Sequence, residues 1–154
     1  MIKYKEGDKA PLFEGIDQDG SSHKLSDFSG KKLILFFYPK DMTPGCTAEA
    51  CNLRDHFDEL KAKGFELLGV SPDSVLRHKK FTEKYDLPFP LIADEEKEIL
   101  TVYGVWAEKK MYGKTFMGVL RTTFIIDEEG IILKIFPKVK TKDHTAQILE
   151  SLDI

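Results

Sequence analysis

Cysteine is scarce in this sequence, with two residues in 154, too few for the disulfide framework of a small secreted domain. Long hydrophobic runs are missing as well. The longest is Leu33 to Tyr38, far short of the ~20 apolar residues that span a bilayer, which excludes a transmembrane helix. Neither sign of charge prevails: 23 Lys and Arg against 26 Asp and Glu leave a net charge of −3, so no global attraction to nucleic acid or an anionic membrane is expected. The local string Lys138, Lys140, Lys142 reads as a solvated strand face or loop. The opening segment, Met1 to Asp8, has neither the apolar core of a signal peptide nor an Arg-rich transit pattern, so a chain that begins natively at Met1 is expected to be cytoplasmic. No Ser/Gly linker, repeat or low-complexity tract interrupts the chain, and one domain over residues 1–154 is expected. There is no Gly-rich phosphate loop, paired-carboxylate motif or Ser-His-Asp arrangement. His23, His56, His78 and His144 are scattered without ligand spacing, so neither a metal nor a cofactor is expected.

What remains is a chain with 42% hydrophobic residues, enough for one core without disulfides or metals. Asp17-Gln18-Asp19-Gly20 between Phe13–Ile16 and His23–Leu25 predicts a short β-hairpin. Lys32 to Tyr38 reads as a buried central strand. Thr43-Pro44-Gly45-Cys46 then has the form of a helix start, with Thr43 as N-cap and Pro44 at the first helical position. Cys46, Ala50, Leu53, Phe57 and Leu60 form one apolar face of a helix expected to end near Gly64. The pattern continues as a strand over Phe65–Val70, a helix over Ser74–Tyr85, a strand over Leu91–Ala93 and a helix over Glu95–Tyr103. Gly104–Phe116 shows no clean period and reads as loop. Strands over Val119–Asp127 and Ile131–Phe136 follow, then a terminal helix capped by Asp143 and carrying Ile148 and Leu152. This order implies an α/β chain with a mixed central sheet and an N-terminal β-hairpin. A thioredoxin-like three-layer fold satisfies it, as do other open α/β sheets.

Chemistry gathers around Cys46. At the third position of a helix it meets unpaired backbone N–H groups and the positive end of the dipole, in the place where open α/β sheets collect their active sites. A helix terminus contributes ~0.3–1 and at best ~2 kcal/mol to an anion. Making an ordinary thiol mostly thiolate at neutral pH takes ~3 kcal/mol, so a second positive group is required, an arginine being the natural one. The plain alternative is that Cys46 is a packing residue of the apolar stripe. Cys51, five residues on, lies about 140° around an ideal helix with a Cα separation of roughly 8.7 Å. A disulfide needs less than ~7 Å. The two therefore never pair, or the first turns of the helix must unwind to join them.

The segment Phe37-Tyr38-Pro39-Lys40-Asp41-Met42-Thr43-Pro44-Gly45-Cys46-Thr47-Ala48-Glu49-Ala50-Cys51-Asn52-Leu53-Arg54-Asp55 strongly resembles the active-site segment of peroxiredoxins, and within them the bacterioferritin comigratory protein (PrxQ-type) subfamily. The likeness extends to Gly7–Pro11, Gly69–Asp73, Tyr103–Val105 and Arg121–Asp127. This resemblance implies a thiol peroxidase. Cys46 would be the peroxidatic residue, attacking hydrogen peroxide or an alkyl hydroperoxide and becoming a sulfenic acid. Cys51 would be the resolving residue, and thioredoxin, or a glutaredoxin-like donor, would reduce the disulfide that results. Thr43 would hydrogen-bond the thiolate and the peroxide, Pro39 would shield the sulfur, and Arg121 would stabilise the negative charge; Glu49 would orient that arginine, or is simply an exposed helix residue or a charge partner of the helix start. Gly45, lacking a side chain, would let the peroxide approach the backbone. Arg54 is expected to pair with Glu49 or Asp55 outside the catalytic set. Relatives of this kind are more often monomers than dimers. Two other classes use the same cysteine pair: a thiol–disulfide oxidoreductase, which usually has two residues between its cysteines where this chain has four, and a redox sensor, which oxidises once without turnover.

Overall fold

A computed structural model describes residues 2–154. The predicted first hairpin forms from β1 (Glu14–Ile16) and β2 (Ser22–Lys24), antiparallel, with Asp17 accepting the N–H groups of Asp19 and Ser21 to shape the turn. Gln18 fastens that turn to the chain before the fifth strand, donating to the Phe89 carbonyl and accepting from the Leu91 N–H.

Five strands make the central sheet: β3 (Lys32–Phe37), β4 (Phe65–Ser71), β5 (Leu91–Ala93), β8 (Thr122–Ile126) and β9 (Ile132–Phe136). Their order is β5-β4-β3-β8-β9, with β3, β4 and β5 parallel and β8 and β9 antiparallel to their neighbours. The sheet is therefore mixed, as expected. Its two faces carry separate clusters, which explains the unbroken apolar run of β3. Ile34, Phe36 and Tyr38 face α1 (Pro44–Asp55), α2 (Phe57–Ala62), α3 (Val75–Tyr85) and α5 (His144–Leu152). Leu33, Leu35 and Phe37 face α4 (Glu98–Val102) together with Tyr103, Val105 and Val119. Each such fully enclosed side chain contributes ~1.5–3 kcal/mol.

Several expectations are corrected. The helix from Pro44 does not run to Gly64 but breaks at His56, whose backbone turns to φ −110° and ψ 14°. The His56 ring nitrogen Nδ1 lies 2.9 Å from the Asn52 carbonyl, the acceptor that a continuing helix would offer to the backbone N–H of His56. That N–H bonds instead to Arg54 O. α4 begins at Glu98, three residues late, because Lys97 takes a left-handed conformation at φ 59° and the Asp94 carboxylate accepts from the Leu100 N–H.

Gly104–Phe116 is not a loop. It holds most of a second hairpin, β6 (Trp106–Met111) and β7 (Lys114–Val119). Tyr112 at φ 53° and Gly113 at φ 77° both have positive φ, as the tight hairpin turn requires. Val119 thus ends β7 and does not begin β8. Thr43 and Asp143 occupy N-cap positions, yet neither side chain makes a capping bond. Lys138, Lys140 and Lys142 lie exposed in a loop, as expected.

Candidate active site

Register brings the site together. β8 runs antiparallel to β3 with Thr122 opposite Phe37, so the residue before β8, Arg121, arrives beside the end of β3 from which the chain turns into α1. Cys46, at the third position of α1, is 2% exposed. Across 75 residues of sequence, Arg121 Nη2 donates to Cys46 Sγ at 3.3 Å while Nη1 donates to Glu49 Oε1 at 2.8 Å. The expected second positive group is therefore present, and one guanidinium fork spans the sulfur and the carboxylate. Burial works against the charge of Arg121, but the sulfur and Glu49 hold its pKa above the ordinary arginine value. Pro44 carries no N–H and Thr47 N–H bonds back to Thr43 O, so the N–H groups of Gly45 and Cys46 are the ones left without an intrahelical acceptor.

Gly45 has a use beyond the one expected. A Cβ there would lie 3.1 Å from Arg121 Nη2, so the missing side chain makes room for the guanidinium. Gly45→Ala is expected to slow oxidation of Cys46 about tenfold, equivalent to ~1.4 kcal/mol in the barrier. Its helix propensity gain of up to ~1 kcal/mol should leave the melting temperature unchanged or higher. Stopped-flow oxidation and thermal melts on the same protein separate the two effects.

Thr43 Oγ1 donates to the Lys40 carbonyl at 2.7 Å. That bond uses the hydroxyl proton, so the expected hydrogen bond from Thr43 to the Cys46 sulfur is not made; among the described residues, the one side-chain donor on the sulfur is Arg121. Pro39 is half-buried just beyond β3. Cys51 is half-buried on α1; burial pushes its thiol up, with the Arg54 charge opposing and Asp55 adding to the shift. Both cysteines are free, and the intact helix between them keeps them from bridging. Arg54 pairs with Asp55 and donates to the Tyr85 carbonyl.

Two buried histidines emerge that no sequence spacing marked. His78 Nδ1 lies 2.6 Å from Asp41 Oδ2, and its Nε2 lies 2.9 Å from the Ile92 carbonyl; Tyr38 donates to the other Asp41 oxygen at 2.6 Å. Asp73 accepts from Ser71, Arg77 and the Asp41 N–H. Asp41, Asp73 and His78 converge closely enough to hold a cation, but the hydrogen bonds just described occupy their polar atoms, and neither cysteine belongs to the group. This network fastens the loop leading into α1. His144, on α5, has its Nε2 3.9 Å from Glu49 Oε2.

The AhpC/TSA family profile matches residues 6–135. Peroxiredoxin Bcp of Bacillus subtilis is 49% identical over 146 residues, covering 95% of this chain and 93% of that protein. Peroxiredoxin Bcp of Escherichia coli K12 is 45% identical over 152 residues, covering 99% and 97%. A solved bacterioferritin comigratory protein of Xanthomonas campestris, studied for its alkyl peroxide reduction activity, superposes with a TM-score of 0.87 at 33% identity over 95% of this chain and 98% of that one.

Proposed function

The chain belongs to the AhpC/TSA family, among its Bcp/PrxQ-type peroxiredoxins, and is a thiol peroxidase; from that premise we propose that Cys46 is the peroxidatic residue and Cys51 the resolving one. The observation that carries this assignment is the Arg121 contact with Cys46 Sγ at the start of α1, 3.3 Å long. The thiolate attacks one oxygen of the hydroperoxide. The S–O bond forms as the O–O bond breaks, and the leaving oxygen takes up a proton to become water or an alcohol. Negative charge moves from sulfur to the leaving oxygen along this line, and Arg121, with the N–H groups at the start of α1, stabilises it. Thr43, its own proton held by Lys40, accepts from the peroxide O–H. Pro39 screens the sulfur from bulk water.

Resolution requires motion. The thiol of Cys51 displaces the sulfenic oxygen as water, forming a disulfide, and α1 must unwind over Cys46–Asn52 to allow it. Until then burial keeps Cys51 a poor nucleophile. Thioredoxin or a glutaredoxin-like donor reduces the bridge by thiol exchange. Hydrogen peroxide and alkyl hydroperoxides are the substrates, and the active unit is a single domain over 1–154 working as a cytoplasmic monomer without metal or cofactor. Among the described residues, no helix is long and apolar enough to cross a membrane.

Intact-mass analysis after one equivalent of peroxide tests the assignment. Loss of two hydrogens to a Cys46–Cys51 bridge is expected, accompanied by lost amide-exchange protection over Cys46–Asn52. A retained oxygen on an otherwise reduced pair, or a bridge with protection unchanged, contradicts the resolving step.

A further inference from the structure

Glu49 lies behind Arg121, away from solvent at 1% exposure. Its Oε1 accepts from Arg121, whereas its Oε2 is enclosed with no hydrogen-bond partner among the described residues. His144, from α5 and itself fully enclosed, lies 3.9 Å from that oxygen. Hydrogen bonds fix where the imidazole carries its proton. Gln147 Nε2 donates to Lys138 O and Gln147 Oε1 accepts from Lys140 N–H, so His144 Nδ1, 2.8 Å from Oε1, is the donor. Nε2 is then a lone pair, and it accepts from the Thr123 hydroxyl at 2.8 Å. His144 therefore offers Glu49 no N–H. From β8 comes only that hydroxyl, and from α1 only the Cys46 sulfur through the shared guanidinium. One positive charge faces two groups that both ionise as anions.

Building on the reading of Cys46 as the peroxidatic residue, we propose that Glu49 is a redox-linked proton site, protonated while Cys46 is a thiolate and ionised once the sulfur is a neutral sulfenic acid. The sum balances: thiolate, carboxylic acid and hydroperoxide become sulfenic acid, carboxylate and alcohol. Sulfur is oxidised by two electrons and the peroxide is reduced by the same two. Glu49 releases one proton to solvent as the leaving oxygen takes up another. Arg121 thus faces one negative charge before and after the chemical step, and no second uncompensated anion is created in the buried site. Burial, against the pull of Arg121, pushes the Glu49 carboxyl up to about 7, which puts its titration near neutrality. Burial pushes His144 down to about 4, so it stays neutral there and supplies no compensating charge.

Infrared difference spectroscopy on the Cys51→Ser variant, which halts at the sulfenic acid, tests this directly. The buffer is set slightly to the acid side of the Glu49 value, and the oxidant is one equivalent of hydrogen peroxide. Oxidation is expected to remove a carboxylic-acid C=O band and add a carboxylate band. Both should shift on carboxyl-13C glutamate labelling and vanish in Cys51→Ser/Glu49→Gln. Labelling alone makes the assignment to glutamate if the double variant does not fold. An oxygen adduct on Cys46 in the intact mass, with no glutamate acid band lost, overturns the proposal. Absence of the adduct itself overturns the peroxidatic assignment, and this inference with it.

Discussion

Replacing Cys46 with Ser is expected to reduce peroxide consumption to the uncatalysed background, the largest effect of any single substitution in this chain. A hydroxyl at the same helix position has an acidity many orders of magnitude weaker than a thiol, and Arg121 cannot supply that difference. Cys51→Ser should behave differently. Its Cys46 keeps the Arg121 contact and the helix start, so the first equivalent of peroxide is consumed at the wild-type rate, after which turnover stops at the sulfenic acid or proceeds to over-oxidation. The measurement is peroxide loss coupled to thioredoxin, its reductase and NADPH, read together with intact mass. Single-turnover oxidation of equal speed in Cys46→Ser refutes the assignment of roles. Wild-type turnover in Cys51→Ser refutes the resolving role alone.

Arg121→Lys is expected to lower the rate of Cys46 oxidation about 10²–10³-fold, the loss seen when a preorganised donor is removed from a charge-developing site. Lysine keeps the charge but not the fork: one ammonium cannot reproduce two nitrogens at 2.8 Å from Glu49 and 3.3 Å from the sulfur. Arg121→Ala adds a second consequence, because Glu49 then has no cation. Its folded-state carboxyl already lies above its ordinary value, so the stability it contributes is fully present below the unfolded carboxyl value and is lost as pH rises through about 7. Removing the arginine widens that loss, and the melting temperature of Arg121→Ala should fall more steeply with pH than that of the parent. Arg121→Ala/Glu49→Gln should recover the stability at neutral pH and not the rate. Recovery of both would show that Arg121 acts only by neutralising Glu49.

Much of the central sheet was legible because a buried strand leaves an unbroken apolar run, as in Leu33–Tyr38, and because Pro44 and the Cys46 stripe mark a helix start. The second hairpin was not. Its strands are largely exposed, so they lack alternation against a core, and its turn is Tyr112-Gly113, without the Asn or Asp that usually signals such a turn. The break at His56 was invisible for another reason: the stripe through Leu53, Phe57 and Leu60 keeps its period across it, and the cause is one side chain taking a backbone acceptor. Within the site, Cys46 and Arg121 were named from the motif, and their contact follows from the β3–β8 register. Glu49 was noticed but left open. His144 and the Asp41–His78 network carried no signal, since their partners lie at separations no local pattern records. Gly45 was selected for its missing Cβ, but the guanidinium that uses the space comes from Arg121, far along the chain, and left no local signal.

The interruption at His56 also sets how far a structural change can spread. Helix unwinding is cooperative, and a single rod from Pro44 to Ala62 would propagate fraying at one end toward the other. Here the rod is two pieces. α2 starts afresh, with Leu60 N–H bonded to His56 O and Leu60 fully enclosed. Upstream, the chain is tied at Asp41 to Asp73, Tyr38 and His78. The stretch between these two anchors bounds the unwinding that the proposed Cys46–Cys51 bridge would need, so the cost of that motion is set by one short helix and not by the scaffold on either side.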